Sequence, residues 1–429
     1  MPAALWLYEA ALRQATSLAR LSPQLRLKAK AREEWHRHLR ELQDWSYAAP
    51  HPRLWVHSAS AGEFEHVRPV LQLLQARLPQ LSVILTFFSP SGYEAHRATP
   101  FADKVFLLPP DLPDSRHSFL AALQPTAAVF VRYELWLGYL AALRQRQVPT
   151  FLVAATFPRS SLWRLPVAQR LLRQALSSFQ RIWALNDREA AAFRRLVPEV
   201  PVTVVPDPRY DRIWQVAHQE PRVWLPEAFR HPGSFCLIAG STWEEDHRLL
   251  AGMLRYLPND LRQRLVLIIV PHEPDPARVT ALLRLFRGAH RWTEVTDASP
   301  GVVEQGPQVL IVDRFGLLLH LYCFADVAYV GGGFGHGVHN LAEPAAYGIP
   351  LVCGPRVQKS PDAHALLRTG ALTIVRTERQ FADWLYAVFS NPEERQRLGT
   401  TAQRLLQQRG GAESIATSLA AVLSGLSEA

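Results

Sequence analysis

From Leu54 onward the chain repeats one pattern, a short apolar run, a turn, and then a stretch with apolar residues at helical spacing. The runs Leu54 to Val56, Val83 to Thr86, Lys104 to Leu107, Ala127 to Phe130 and Thr150 to Val153 read as strands. Arg181 to Ala184 and Val202 to Val205 extend the series before a Pro- and Trp-rich stretch, Pro206 to Pro232, interrupts it. The rhythm then restarts with Phe235 to Ala239, Leu265 to Val270, Val309 to Val312, Val327 to Val330, Leu351 to Cys353 and Leu372 to Val375. Glu378 to Ser390 and Pro392 to Leu426 carry helical periodicity, broken at Gly410 and Gly411. Strands alternating with helices predict parallel sheets joined by crossover helices. The expected class is therefore α/β, two doubly wound, Rossmann-like domains facing an interdomain cleft at the C-terminal ends of their strands, where such sheets bind ligands. The predicted segments are an N-terminal helical region (1–45), a first domain (46–215), a second domain (216–405) and a helical tail (406–429).

Composition narrows this picture. A chain of 429 residues with 48% hydrophobic residues can fill two cores. Its formal charge of +9 points to anionic partners, without choosing among phosphates, nucleic acid and an acidic membrane surface. Cys236, Cys323 and Cys353 lie far apart in apolar runs and predict buried, reduced thiols. Near the start, Leu5, Tyr8, Leu12, Ala15 and Ala19 fall at helical spacing, while Glu9, Arg13 and Arg20 break the segment's apolarity. This is too polar and too short to span a bilayer. Two readings remain open, an amphipathic helix resting in a membrane interface and a helix packed on the first domain. The basic run Arg26, Lys28, Lys30, Arg32, Arg37 and Arg40 suits anionic headgroups or a solvated face. No basic stripe with interleaved aromatics accompanies the charge, so a nucleic-acid partner is not expected.

Candidate chemistry concentrates in loops that follow strands. In the second domain these are Gly240, Ser241 and Thr242, then Pro271, His272 and Glu273, and finally Val330 to Pro355, with three consecutive glycines, Gly331, Gly332 and Gly333. Glycines let a backbone turn sharply and approach a ligand closely, and a helix start offers N–H groups to a phosphate. Ser241 and Thr242 fit either a phosphate contact or ordinary helix capping. Asn340 and Glu343 are spaced like a capping box, and Glu343 is also suited to accept hydrogen bonds from adjacent ribose hydroxyls.

In the first domain the segment His57 to His66 follows the first strand; Gly62 is expected to let the chain turn and Glu63 to open a helix. Ser60 and Glu63 again have capping-box spacing, while a carboxylate there could also take a proton from an acceptor hydroxyl if its pKa is raised. Ser89 to Gly92 and Arg132 to Trp136 should line the same end of the sheet, with Glu134 a candidate for holding a sugar or base. His336 and His339 lack a carboxylate or thiol partner at ligand spacing and read as loop histidines. Metal-free chemistry without a cofactor is expected.

Taken in order, SASAGEFEHVRPV, SPSGYE, YELW, GSTWEED, LIIVPHEP and YVGGGFGHGVHNLAEPAAYGIPLVCGP resemble the 3-deoxy-D-manno-octulosonic acid (Kdo) transferases of lipopolysaccharide assembly, over nearly the full length. The resemblance implies a GT-B glycosyltransferase that moves Kdo from CMP-Kdo to a lipid A precursor with inversion. It implies Glu63 as general base, with Ser60, Gly62, Ser89, Gly92, Arg132 and Glu134 on the acceptor and sugar side. Ser241, Thr242, Pro271, His272, Gly332, Gly333, Asn340 and Glu343 fall on the nucleotide side. A peripheral position on the anionic cytoplasmic face of the inner membrane is also implied. The family's usual Glu-x-Glu-x-Trp stands here as Arg132-Tyr133-Glu134-Leu135-Trp136. A UDP-sugar transferase of the same fold and a nucleotide-sugar epimerase are the rival readings.

Overall fold

A computed structural model describes residues 5–6, 8–10, 12–14, 35–49, 51–158, 165–226, 229–295 and 308–427. The chain forms two compact units, residues 1–211 with 409–429, and residues 212–408.

The first unit holds strands β1 (Arg53–Ser58), β2 (Ser82–Phe87), β3 (Lys104–Leu107), β4 (Ala127–Val131), β5 (Thr150–Ala155), β6 (Arg181–Ala184) and β7 (Val202–Val204). They form one sheet in the order β3-β2-β1-β4-β5-β6-β7, parallel throughout. The central strands β1, β2, β4 and β5 are buried along their whole length, which is why they read as continuous apolar runs and not as alternating ones. Trp55 and Phe130 pack into one face of this sheet; Val56 and Val129 face the other, against helix Ala61–Arg77. Helix Gly411–Ser427 returns to that second face with Ile415, Leu419 and Leu423.

The second unit repeats the plan with β8 (Phe235–Thr242), β9 (Leu265–Pro271), β10 (His290–Arg291), β11 (Gln308–Ile311), β12 (Val327–Val330), β13 (Leu351–Cys353) and β14 (Leu372–Ile374). Its order is β10-β11-β9-β8-β12-β13-β14, again parallel. At two residues, β10 is too short to show a period, and the apolar pattern gives no hint of it.

Strand order reverses direction between β1 and β4 in the first unit and between β8 and β12 in the second. At such a point the neighbouring loops leave in opposite directions and open a crevice at the C-terminal strand ends. Four of the expected site loops follow these strands, and the remaining two follow their neighbours β2 and β9.

Two local expectations need correction. Cys323 is exposed, unlike Cys236 and Cys353, because it sits in a short 3-10 turn and not inside a strand. Near the N-terminus, Leu5 and Tyr8 pack against the first unit's core. There the Tyr8 hydroxyl donates to Asp111 Oδ2 at 3.0 Å, and Glu9 pairs with Arg116 at 2.9 Å. Of the two readings of this helix, packing on the first domain is observed for these residues. Ala15, Ala19, Arg20, Arg26, Lys28, Lys30 and Arg32 lie outside the described residues, as does the side chain of Arg37. Among the described residues, no helix is long and apolar enough to cross a membrane.

Candidate functional site

In the first unit the turn out of β1 is made by Ala59 and Ser60. Ser60 is the N-cap of helix Ala61–Arg77 and accepts from Glu63 N at 3.4 Å. Gly62 lies inside the first helical turn, without positive φ, and so does not make the turn as expected; a Cβ there would meet nothing within 4 Å.

Glu63 is 8% exposed. Its Oε2 accepts from Ala59 N at 2.9 Å, one residue upstream of the true capping-box partner. Burial raises its pKa, Glu134 raises it further, and the Ala59 N–H, the Tyr133 hydroxyl and Arg132 act in the opposite direction. The net shift is upward, as a group that must take and release a proton near neutrality needs.

Around it the other first-unit residues assemble. Ser89 N donates to Ala59 O at 2.8 Å. A Cβ on Gly92 would press on Ala61 N and the Phe87 ring, so only glycine lets helix Pro90–His96 come this close to the Glu63 turn. Ser89 makes no side-chain cap; its hydroxyl is 2.7 Å from that of Ser91. After β4, Glu134 Oε2 accepts from Trp136 Nε1 at 2.9 Å and lies 3.5 Å from His57 Nε2. Arg132 Nη1 lies 3.0 Å from His66 Nε2, one helical turn beyond Glu63. Ser60, Glu63, Ser89, Gly92, Arg132 and Glu134 are thus brought to one end of one sheet.

In the second unit the loops interlock through the backbone. His272 N donates to Thr242 O at 3.0 Å, Gly331 N to Gly240 O at 2.9 Å and His339 N to Gly331 O at 3.1 Å. A Cβ on Gly331 would collide with Ser241 O, on Gly332 with Gly337 O, and on Gly333 with the backbone of Gly354. These glycines are demanded by chain against chain. The residue that ties the loops together is Asp246, which sequence reasoning missed. It is 1% exposed. Its Oδ2 accepts from Trp243 N at 2.9 Å and from Gly332 N at 2.8 Å, and its Oδ1 from the Tyr329 hydroxyl at 2.5 Å. Its signal is present in the sequence, since Trp243 and Asp246 have the spacing of a helix start.

Of the two readings of Ser241 and Thr242, helix capping is not observed. Helix Glu244–Met253 begins two residues later than Thr242 and its N-cap is Trp243. Ser241 has φ +53° at a register shift ending β8. The Thr242 hydroxyl is fully buried, 2.9 Å from His247 Nε2 and 3.4 Å from Val270 O. With Glu244, Glu245 and Asp246 in its first turn, this helix start repels an anion more than it attracts one. The helix expected after the Gly-rich loop is the single turn Ala342–Ala345, with Leu341 as N-cap, so its dipole is small. Nor do Asn340 and Glu343 form a capping box. Asn340 Oδ1 accepts from Ala342 N at 3.1 Å, while its Nδ2 donates to Glu343 Oε1 at 2.9 Å, which orients the carboxylate.

His336 and His339 are not independent loop side chains. Trp243, His272, His336 and His339 form a ring cluster. Trp243 lies 5.0 Å from His272 and 4.1 Å from His336, and His272 lies 4.2 Å from His339, nearly parallel at 18°. Trp243 Nε1 donates to His339 Nε2 at 2.7 Å. Burial lowers the pKa of His272, and it lowers that of His339 to about 4, so the His339 ring is neutral near pH 7. Pro271 ends β9 and hands the chain directly to His272. The cluster presents flat rings beside the Gly-rich loop, a surface suited to stacking a planar group. Among the described residues no group of three or more His, Cys, Asp and Glu could hold a metal ion.

Comparison with known proteins agrees with this architecture. Residues 31–212 match the family described as 3-Deoxy-D-manno-octulosonic-acid transferase (kdotransferase). The 3-deoxy-D-manno-octulosonic acid transferase of Haemophilus influenzae is 28% identical over 388 residues, covering 85% of this chain and 86% of that protein. The enzyme of the same name from Bordetella pertussis is 29% identical over 382 residues, 85% of each chain. Among solved structures, UDP-GlcNAc 2-epimerase from Neisseria meningitidis superposes with a TM-score of 0.58 at 13% identity, covering 86% of this chain and 99% of that one. Acinetobacter baumannii MurG does so at 0.50 and 14%, with 86% and 99% covered. At these identities the structural likeness speaks for the fold, which is GT-B.

Proposed function

We infer that this chain is a Kdo transferase, the family that residues 31–212 match and whose members align with about 85% of its length. It is an inverting glycosyltransferase of lipopolysaccharide biosynthesis, and in this reading CMP-Kdo is the donor and a lipid A precursor the acceptor. The observation that carries the chemistry is Glu63, a buried carboxylate in the first turn of the helix that follows β1, with its pKa raised by burial and by Glu134. It is the general base, taking the proton of the acceptor hydroxyl as CMP departs. Glu134, held by Trp136, positions the sugar.

The second unit carries the donor. Glu343, oriented by Asn340, takes the ribose hydroxyls, and the Trp243–His272–His339 rings offer the cytosine a stacking surface. Thr242 serves as an internal support of this pocket and not as a direct phosphate ligand, since its hydroxyl is already engaged. Basic residues toward the N-terminus, Arg40 among the described ones, favour a peripheral position on the anionic cytoplasmic face of the inner membrane.

The test is to incubate the protein with CMP-Kdo and a lipid A precursor and to weigh the lipid product. Added mass in whole Kdo units is expected. No added mass from CMP-Kdo, together with sugar transfer from a UDP donor, would overturn the reading.

A further inference from the structure

Arg132 occupies a place that neither the fold nor the proton transfer requires. It follows β4 at the switch point with φ +66°, a left-handed conformation that a residue with a Cβ adopts at a cost and that clusters at functional positions. Its guanidinium Nη1 lies 3.0 Å from His66 Nε2, and His66 Nδ1 lies 3.0 Å from Asp207 Oδ1. A guanidinium only donates, so Nε2 is the acceptor and the imidazole proton sits on Nδ1, facing Asp207. Asp207 also receives Arg209, at 3.0 Å through Nε and 2.7 Å through Nη2. Burial holds His66 down to about 4, so the ring is neutral at working pH.

The consequence is electrostatic. The Arg132 guanidinium is aimed by a neutral ring, which fixes its direction without cancelling its charge. Among the described residues no carboxylate forms an ion pair with it, whereas Arg209 is paired with Asp207 behind it. Glu63 and His66 are three residues apart on helix Ala61–Arg77 and share one of its faces, so the charge stands beside the candidate base. One N–H of the planar fork is occupied by His66. The remaining donors suit a tetrahedral or planar oxyanion.

We propose that Arg132 is a specificity-determining residue that binds an oxyanion of the substrate, a phosphate or a carboxylate, next to the hydroxyl that Glu63 deprotonates. This rests on the transferase reading above. The oxyanion has two sources in that reaction, a phosphate on the lipid acceptor or the carboxylate of the acidic sugar.

The experiment is steady-state transfer by the full chain and by Arg132→Gln and Arg132→Lys. The acceptor is presented with and without its phosphates, and a donor analogue with the sugar carboxylate converted to an amide competes with CMP-Kdo. Arg132→Gln is expected to lower kcat/KM about tenfold to a hundredfold toward the substrate carrying the recognised oxyanion, the scale of one lost charge-assisted hydrogen bond or pair. The loss should vanish for the substrate lacking that group, and Arg132→Lys should recover part of it. A selective loss in the acceptor arm identifies the phosphate; one in the donor arm identifies the carboxylate. Equal losses with every substrate, or none, would overturn the proposal and leave Arg132 a cross-link between strand and helix. A thermal melt distinguishes that from misfolding, with the Lys variant retaining the charge and stem. Absence of transfer by the unaltered protein would instead overturn the underlying reading, and the proposal with it.

Discussion

At the residue scale the decisive contrast is between Glu63 and Glu134, two carboxylates on the segments that follow β1 and β4. Glu134 is held by Trp136 and lies 3.5 Å from His57. Glu63 is buried, keeps one backbone N–H, and carries the raised pKa. A base acts in its deprotonated form, so the acid limb of kcat/KM should follow the Glu63 titration, above the ordinary carboxylate range. Glu134 is one of the causes of the upward shift. Neutralising it in Glu134→Gln should therefore move the acid limb to lower pH, whatever it does to the maximal rate. Glu63→Gln should retain CMP-Kdo binding and lose about a hundred-fold to ten-thousand-fold in turnover, the usual worth of a general base. An unmoved acid limb in the first variant, or near-normal turnover in the second, would remove Glu63 from its role.

At the element scale the second unit's site is a set of backbone turns fastened by one buried side chain. Asp246 accepts from Trp243 N, Gly332 N and the Tyr329 hydroxyl. Removing it leaves those donors without a partner, at about 1–3 kcal/mol for each that stays buried. Asp246→Ala is thus expected to destabilise the second unit by roughly 3 kcal/mol or more, read as a lowered urea midpoint. A loss under about 1 kcal/mol would show that water replaces the carboxylate. This anchor also explains what was legible in the sequence. The strands other than β10 were, most plainly the central ones, where burial on both faces writes an apolar run directly into the chain, and so were the glycine triplet and the Glu63 segment, because their residue types are unusual after a strand. The partners of polar groups were not. Ser241 and Thr242 look like caps by composition, yet the chain runs on to Trp243 before the helix starts, and Thr242 turns inward to His247. The stacking of His272 on His339 joins residues 67 positions apart in sequence (339 minus 272), which no local pattern records.

At the scale of the whole molecule, the two switch points place the chemistry at corresponding positions of two similarly built sheets, while the chain path is asymmetric. It leaves the first unit at Asp211 and comes back at Arg409. Asp211 fastens the return, since its two oxygens accept from Gly410 N at 2.6 Å and Ala412 N at 2.8 Å. Helical periodicity made the last helix legible as a helix, but not which sheet it covers, because an amphipathic pattern specifies a buried face and not its partner. In the structure Ile415, Leu419 and Leu423 join Val67, Val70, Leu71 and Leu74 of helix Ala61–Arg77, the helix that carries Glu63 and His66. Burying those three large side chains contributes about 5–9 kcal/mol at roughly 1.5–3 each, comparable to the total stability of about 5–15 kcal/mol typical of a domain. A chain ended after Gln408 should therefore lose its first unit and keep its second. In limited proteolysis, fragments within 212–408 are expected to persist while the 51–211 region is cut, and calorimetry should show the first unit's transition lowered or gone. Because Glu63 rides on the uncovered helix, transfer should be lost although the nucleotide-side loops are untouched. A truncated chain whose first unit melts unchanged would mean that helix Ala61–Arg77 is held by its own sheet alone.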